Sequence, residues 1–360
     1  MKKAGRMLLT LVLALSLSAC GGKTGETTAA DNTTAAGKES MGSGTVSAGG
    51  ESSEIGEYDW ILAIDAAEDT VTNLYAQKFA ELVSEYSGGK MKIDVMANGV
   101  LGSDKQSMES IKSEDGVHFA VMTTANQVSF IPEIAVFDLP CPYPDIKSVR
   151  AAVDSPEFLK LVETAHKEHG YKLMGYADQM FRIMSANVKI EKLDDFSGIK
   201  IRTMENSNHM SFWKAIGANP TPMTFSEVYT SLQNHTIDAQ ENPYEVIVGN
   251  KFYEVQSYMI ETNHIPHLLS LITADALYER LNDAEKKVLD QAAEEAKSWA
   301  REQADSRVAE RIAIVEKNGS EIITLSAELY DEIVKAAQPV YDEIREQVGE
   351  ELVDAYLSQK

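Results

Sequence analysis

From Trp60 onward the chain alternates between two hydrophobic periods, and few architectures accept such an order. Residues 60–64 are a short apolar strand pattern. Residues 72–86 place Leu74, Phe79, Leu82 and Val83 near helical spacing, and Gly88-Gly89 ends the run. Residues 91–96 alternate apolar and polar as a strand does, and Asn98-Gly99 turns the chain. Ser103-x-x-Gln106 reads as a capping box that opens the next helix, and residues 117–122 are another apolar strand. Strand–helix–strand order of this kind predicts a parallel sheet with helices on its faces, an α/β fold.

The second half behaves alike. Residues 171–175, 199–202 and 236–240 are short strand candidates, and residues 207–216 and 226–234 are helices. Thr224-x-x-Glu227 fits a second capping box, which gives Glu227 a local role. Residues 283–318 predict one long charged amphipathic helix, followed by a strand at 321–325 and a helical end.

What precedes this body has a different chemistry. Lys2, Lys3 and Arg6 stand before an apolar run over residues 7–17, closed by Leu17-Ser18-Ala19-Cys20. That is the layout of a secretory signal, and the run is about half the ~20 residues that a membrane span needs. Residues 1–19 are therefore expected to leave, and Leu-Ser-Ala-Cys resembles the lipobox of bacterial lipoproteins, in which Cys20 would be acylated. Residues 20–56 are mostly Gly, Ser, Thr and Ala. Such a stretch buries too little to offset its ordering entropy, so it reads as a flexible tether.

The roughly 300 residues that follow suffice for a core without disulfides, and for two lobes. Only Cys20 and Cys141 exist, so a lipidated Cys20 leaves Cys141 unpaired. The formal charge is −23, and loss of the leader's three cations takes it to −26. So acidic a surface argues against nucleic acid, which needs a basic footprint. An anion could be held there only by basic residues placed at the site itself.

Catalytic and metal signals are weak. His166 and His169 lie three apart on a helix, and His264 and His267 flank Ile265-Pro266, but neither pair has further ligands at zinc spacing. There is no Gly-x-Ser-x-Gly elbow and no phosphate loop. Cys141, between two prolines, reads as a buried inert thiol.

The informative stretch is 175–263. It holds Asp178-Gln179-Met180-Phe181-Arg182, Leu193-Asp194-Asp195-Phe196-Ser197-Gly198-Ile199-Lys200-Ile201-Arg202, Pro220-Thr221-Pro222-Met223-Thr224-Phe225-Ser226-Glu227-Val228-Tyr229 and Ile237-Asp238-Ala239-Gln240-Glu241-Asn242-Pro243. In order and spacing these pieces resemble the DctP-type solute-binding proteins of tripartite ATP-independent periplasmic (TRAP) transporters. Asn98-Gly99-Val100-Leu101-Gly102, Lys251-Phe252-Tyr253-Glu254-Val255 and Thr262-Asn263-His264 extend the match over residues 60–319.

The resemblance implies a two-lobed, periplasmic-binding-protein-like fold with a ligand cleft between the lobes and a long C-terminal helical region. One lobe is expected over residues 57–178 plus about 268–307, the other over about 179–267 plus 308–360. It also implies that Arg202 pairs with a ligand carboxylate, that Arg182 assists, that Asn242 hydrogen-bonds the ligand and that Phe225 packs on its carbon skeleton. Gln240, Tyr244 and Glu68 are further candidates. Arg202 ends an alternating strand, where side chains face the crevice of an open α/β sheet, and its planar fork matches a carboxylate. A dicarboxylate, a sugar acid such as a uronate and a keto acid all present the group that Arg202 would hold, and the polar side chains Glu68, Asp178 and Gln240 tilt the reading towards a hydroxylated sugar acid. The family glycines are replaced by His235 and Ala239, a cost if either needs positive φ.

The expected protein is a monomeric extracytoplasmic receptor without cofactor or catalysis, anchored to the membrane by lipid. It would deliver an organic carboxylate to one small and one large TRAP membrane subunit. A receptor of an ATP-driven importer, or a sensor, would have a similar fold; a secreted α/β enzyme lacks a visible catalytic constellation.

Overall fold

The computed structural model describes residues 54–360. The leader, Cys20 and most of the tether lie outside the described residues. Packed chain begins near the tether's end: Ile55 rests on the core, and Gly56 N–H donates to Glu285 Oε1 at 2.9 Å.

Among the described residues nine strands form a single sheet: β1 (Tyr58–Ala63), β2 (Met91–Met96), β3 (Phe119–Thr123), β4 (Tyr171–Ala186), β5 (Lys200–Thr203), β6 (Asn219–Pro222), β7 (Ala239–Asn242), β8 (Tyr258–Ala274) and β9 (Glu321–Thr324). Their order is β2-β1-β3-β8-β4-β7-β5-β6, and β9 pairs with β8. Pairs β1–β2, β1–β3, β5–β6 and β5–β7 are parallel, as strand–helix alternation requires. The all-parallel expectation fails at the centre. There β4 and β8, of 16 and 17 residues, run antiparallel to each other, and β3–β8 and β4–β7 are antiparallel as well. The two long strands join a β2-β1-β3 half to a β7-β5-β6 half, so the sheet is mixed.

Local chemistry explains the elements that position the cleft. Ser103 and Gln106 make the full capping box, with Ser103 N–H donating to Gln106 Oε1 at 2.8 Å, which starts the helix Asp104–Ser113. Asn282 and Glu285 do the same for the helix Asp283–Lys317. That helix buries Ala292, Ala296, Ala300 and Ala304 on one stripe, and small side chains let it lie close against the helix Val71–Tyr86 and β4. The Thr224/Glu227 box does not form. Thr224 Oγ1 donates instead to the Glu227 carboxylate, 2.8 Å away, and the turn Phe225–Glu227 has no side-chain cap.

Candidate functional site

Three of the seven side chains expected to bind are gathered at one cleft of about 480 Å³, open mouth included. Arg202, Phe225 and Asn242 line it. Arg202 is the third residue of β5 and only 2% exposed. Its Nε and Nη2 donate to the Met223 carbonyl at 3.1 and 2.8 Å, and its guanidinium lies 5.7 Å from the centre of the Phe225 ring. Among the described residues no carboxylate comes within ion-pair distance of it, although Asp65 shares the cleft wall. Burial lowers its pKa to about 10, with Arg182 adding to the fall and the charges of Glu241, Asp65 and Glu205 opposing it. At neutral pH it is a buried, charged fork without a counter-ion.

Arg182 is placed differently. It is 1% exposed on β4, donates to both carboxylate oxygens and the backbone oxygen of Glu241, and also reaches His267 Nδ1. Burial would raise the Glu241 pKa, but Arg182 together with His209 and His264 holds it well below the usual carboxylate range. Arg182 thus has a partner that Arg202 lacks. Since Arg182 can only donate, His267 Nδ1 accepts and its ring proton sits on Nε2. Burial and the Arg182 charge depress the His267 pKa, so the ring is neutral where it lines the cleft.

The remaining candidates fall in three places. Gln240 is fully buried behind Asn242, whose Nδ2 donates to Gln240 Oε1 at 2.6 Å. Tyr244 lines a separate cavity beside the helix Asp283–Lys317, and its hydroxyl donates to Glu261 Oε1 at 3.2 Å. Glu68 is exposed outside the cleft wall and accepts from Asn98 Nδ2 at 3.1 Å. His235 does adopt positive φ, 55°, while Ala239 is ordinary strand. His166 is structural: Nδ1 lies 2.7 Å from the Val162 carbonyl, and burial lowers its pKa to about 4. Cys141 is buried, its thiol pushed up to about 11 by desolvation. Among the described residues no three His, Cys, Asp or Glu side chains gather as a metal site.

Two acids on the cleft wall escaped the sequence reading. Asp65 follows β1, and Asp104 is the first residue of the helix that Ser103 caps. Burial and the Asp65 charge raise Asp104 to about 7, against the pull of Asn126, whose Nδ2 donates to it at 2.7 Å. Burial raises Asp65 as well, and Arg202 opposes that rise. Their signal was positional: both sit where a strand ends or a helix begins, the usual crevice of an open sheet.

Comparison with known proteins agrees with this fold. Residues 62–347 match the family described as bacterial extracellular solute-binding protein, family 7. A solute-binding protein of Verminephrobacter eiseniae is 30% identical over 299 residues, 82% of this chain and 88% of the relative. The C4-dicarboxylate-binding protein DctB of Bacillus subtilis is 29% identical over 293 residues, 81% and 83% of the two chains. The crystal structure of the sugar acid binding protein DctPAm of Advenella mimigardefordensis, in complex with galactonate, superposes with a TM-score of 0.81 at 32% identity, covering 85% of this chain and 98% of that one. With the cleft, the sheet and the family match in agreement, the chain belongs to the DctP-type extracellular solute-binding proteins, family 7.

Proposed function

We propose that this protein captures a small hydroxylated carboxylate, a sugar acid, and hands it to the membrane subunits of a TRAP transporter. The observation that carries the reading is Arg202, a desolvated guanidinium that lines the cleft and has no carboxylate within ion-pair distance among the described residues. Burying an unpaired charge is costly, and a ligand carboxylate would supply the missing partner. Two acids that share the cleft wall select the rest of the ligand. Asp65 and Asp104 repel a second carboxylate but accept hydrogen bonds from hydroxyls. Relatives in the family are named for both a C4-dicarboxylate and a sugar acid, and this acidic wall favours the sugar acid here.

The lobes, divided near residues 178, 267 and 307, would close on the ligand and exclude water. Among the described residues no helix is long and apolar enough to cross a membrane. Lipidation of Cys20 would hold the protein at the outer face of the cytoplasmic membrane, within reach of one small and one large membrane subunit. Calorimetry with D-galactonate, D-glucuronate and succinate tests the ligand class. A sugar acid binds tightest, and Arg202→Ala weakens it at least a hundredfold. Undiminished affinity in that variant removes Arg202 from the site, and preference for succinate overturns the sugar-acid reading.

A further inference from the structure

Two arginines one helical turn apart divide their hydrogen bonds between two acids that come from opposite halves of the sheet. Arg307 and Arg311 lie on the helix Asp283–Lys317 and share a face. Arg307 Nε donates to Glu245 Oε1 and Arg311 Nε to Glu245 Oε2, both at 2.9 Å. Their outer nitrogens turn to Asp69. Arg307 Nη2 donates to Oδ1 at 2.6 Å, while Arg311 Nη1 and Nη2 donate to Oδ2 and Oδ1 at 2.9 and 2.7 Å. Glu245 belongs to the helix Tyr244–Gly249, which follows β7. Asp69 stands just before the helix Val71–Tyr86, which follows β1. One acid therefore sits in each half of the sheet.

The two acids are not equivalent. The Glu245 side chain is 7% exposed and that of Asp69 66%. A carboxylate bracketed by two Nε–H groups fixes both guanidinium planes, so the arginines are already aimed when Asp69 arrives. Asp69 stays largely in water, and it can come and go at little desolvation cost. Burial pushes the Glu245 pKa up to about 7 against the pull of Arg311, with the Asp69 charge adding to the rise, so Glu245 is ionised at pH 8.

The surroundings leave room for movement. Ala304, before the two arginines, belongs to the main core, whereas Val315, after them, packs in a separate cluster with Val246, Ile247 and Val248. A cavity of about 720 Å³, open mouth included, adjoins this boundary. Arg311 and Glu245 line it beside Met180 of β4 and Asn263 of β8, both at positive φ. Asp69 is also tied to the ligand cleft through the chain. Asp65 and Thr72 line the cleft on either side of it in sequence, and Asn242 and Val246 do so around Glu245.

We propose that Arg307 and Arg311, held by Glu245, form a clamp that grips Asp69 when the two halves close, and that this grip, outside the cleft, sets how long a ligand stays. The inference rests on the reading that the halves close on a ligand, and it adds the contact that keeps them closed. Glu245 is then a positioning residue, acting through the arginines. A network that only stiffens the local fold would not separate ligand release from ligand capture.

Stopped-flow kinetics at pH 8 with D-galactonate, and succinate as second probe, makes that separation. Asp69→Asn releases ligand at least threefold faster while association changes less than twofold, because the cleft is untouched and only the closed form loses a contact. Asp69→Glu keeps the charge and stays within twofold of the unsubstituted protein in both rates. Unchanged release in Asp69→Asn, or an equal loss in association, overturns the clamp. Electron–electron resonance between nitroxides at Lys92→Cys and Lys214→Cys, exposed in opposite halves, reads closure directly. Cys20→Ala leaves buried Cys141 as the one native thiol. In the unliganded protein the short-distance population falls at least threefold in Asp69→Asn, and identical distributions overturn the clamp. This second measurement needs no ligand. If neither probe binds, the carboxylate reading fails by itself and the label distances still judge the clamp.

Discussion

Asp104 shows how one side chain can set ligand preference through its proton. With a pKa of about 7 it changes charge within the range where binding is measured. Above pH 7 it is ionised and repels the second carboxylate of a dicarboxylate; below, it is neutral and can donate. Succinate affinity should therefore rise as pH falls from 8 to 6, while galactonate changes less. Asp104→Asn should flatten the succinate profile and narrow the gap between the two ligands by about tenfold, the effect of removing a like charge worth about 1–2 kcal/mol. Calorimetry at three pH values checks both. A succinate profile unchanged by the substitution means that Asp104 does not face the ligand.

Between elements, the junction of the turn Pro132–Asp138 with the helix Ser207–Ala215 rests on charge. His209 Nε2 lies 3.1 Å from Asp138 Oδ1, and Asn206 and Asn208 donate to Asp138 Oδ2 at 2.8 and 3.1 Å. Burial would lower the His209 pKa, but Asp138 and Glu241 outweigh it and raise it to about 9. A histidine whose folded pKa lies above its unfolded value contributes stability that is complete below about pH 6.5 and lost as pH rises through 9. Chemical denaturation should thus show unfolding free energy falling by on the order of 2–3 kcal/mol between pH 6.5 and 9. His209→Gln should lower stability at pH 6.5 and remove that part of the slope. If the slope persists, another group carries it.

On the scale of the whole molecule, the loop before the first helix meets the helix Tyr244–Gly249 at a point where only glycine fits. A Cβ on Gly249 would lie 2.8 Å from Thr70 Cγ2 and 3.3 Å from Asp69 O. Arg311 clasps the same contact, donating to Asp69 Oδ1 at 2.7 Å and to Glu245 Oε2 at 2.9 Å. Gly249→Ala should push these segments apart and weaken ligand binding severalfold with no cleft residue changed. Ligand at about a hundred times its Kd should add about 2.7 kcal/mol of stability, a shift that Arg202→Ala abolishes in thermal unfolding. A full shift in Arg202→Ala means that the ligand binds elsewhere.

The α/β class, the capping box at Ser103 and the long helix from Asp283 were legible in the sequence because each depends on neighbours within a few residues. Arg202 at the end of its strand was legible for the same reason, and the family resemblance was carried by motifs that are themselves short. The full length of β4 and β8 was not. Only residues 171–175 read as a short strand, yet β4 runs on to Ala186 with a register shift between Asp178 and Phe181, and positive φ occurs at Met180 in β4 and at Asn263 in β8. Nor could the sequence show that Arg182 has an internal partner and Arg202 none. Both are buried arginines on strands, and only tertiary packing gives one of them Glu241 and leaves the other facing an open cleft. The acid pair Asp65 and Asp104, 39 positions apart, has the same origin. Periodicity and caps are local properties of the chain, whereas the partner of a buried charge or amide is chosen by whichever distant strand folding brings beside it.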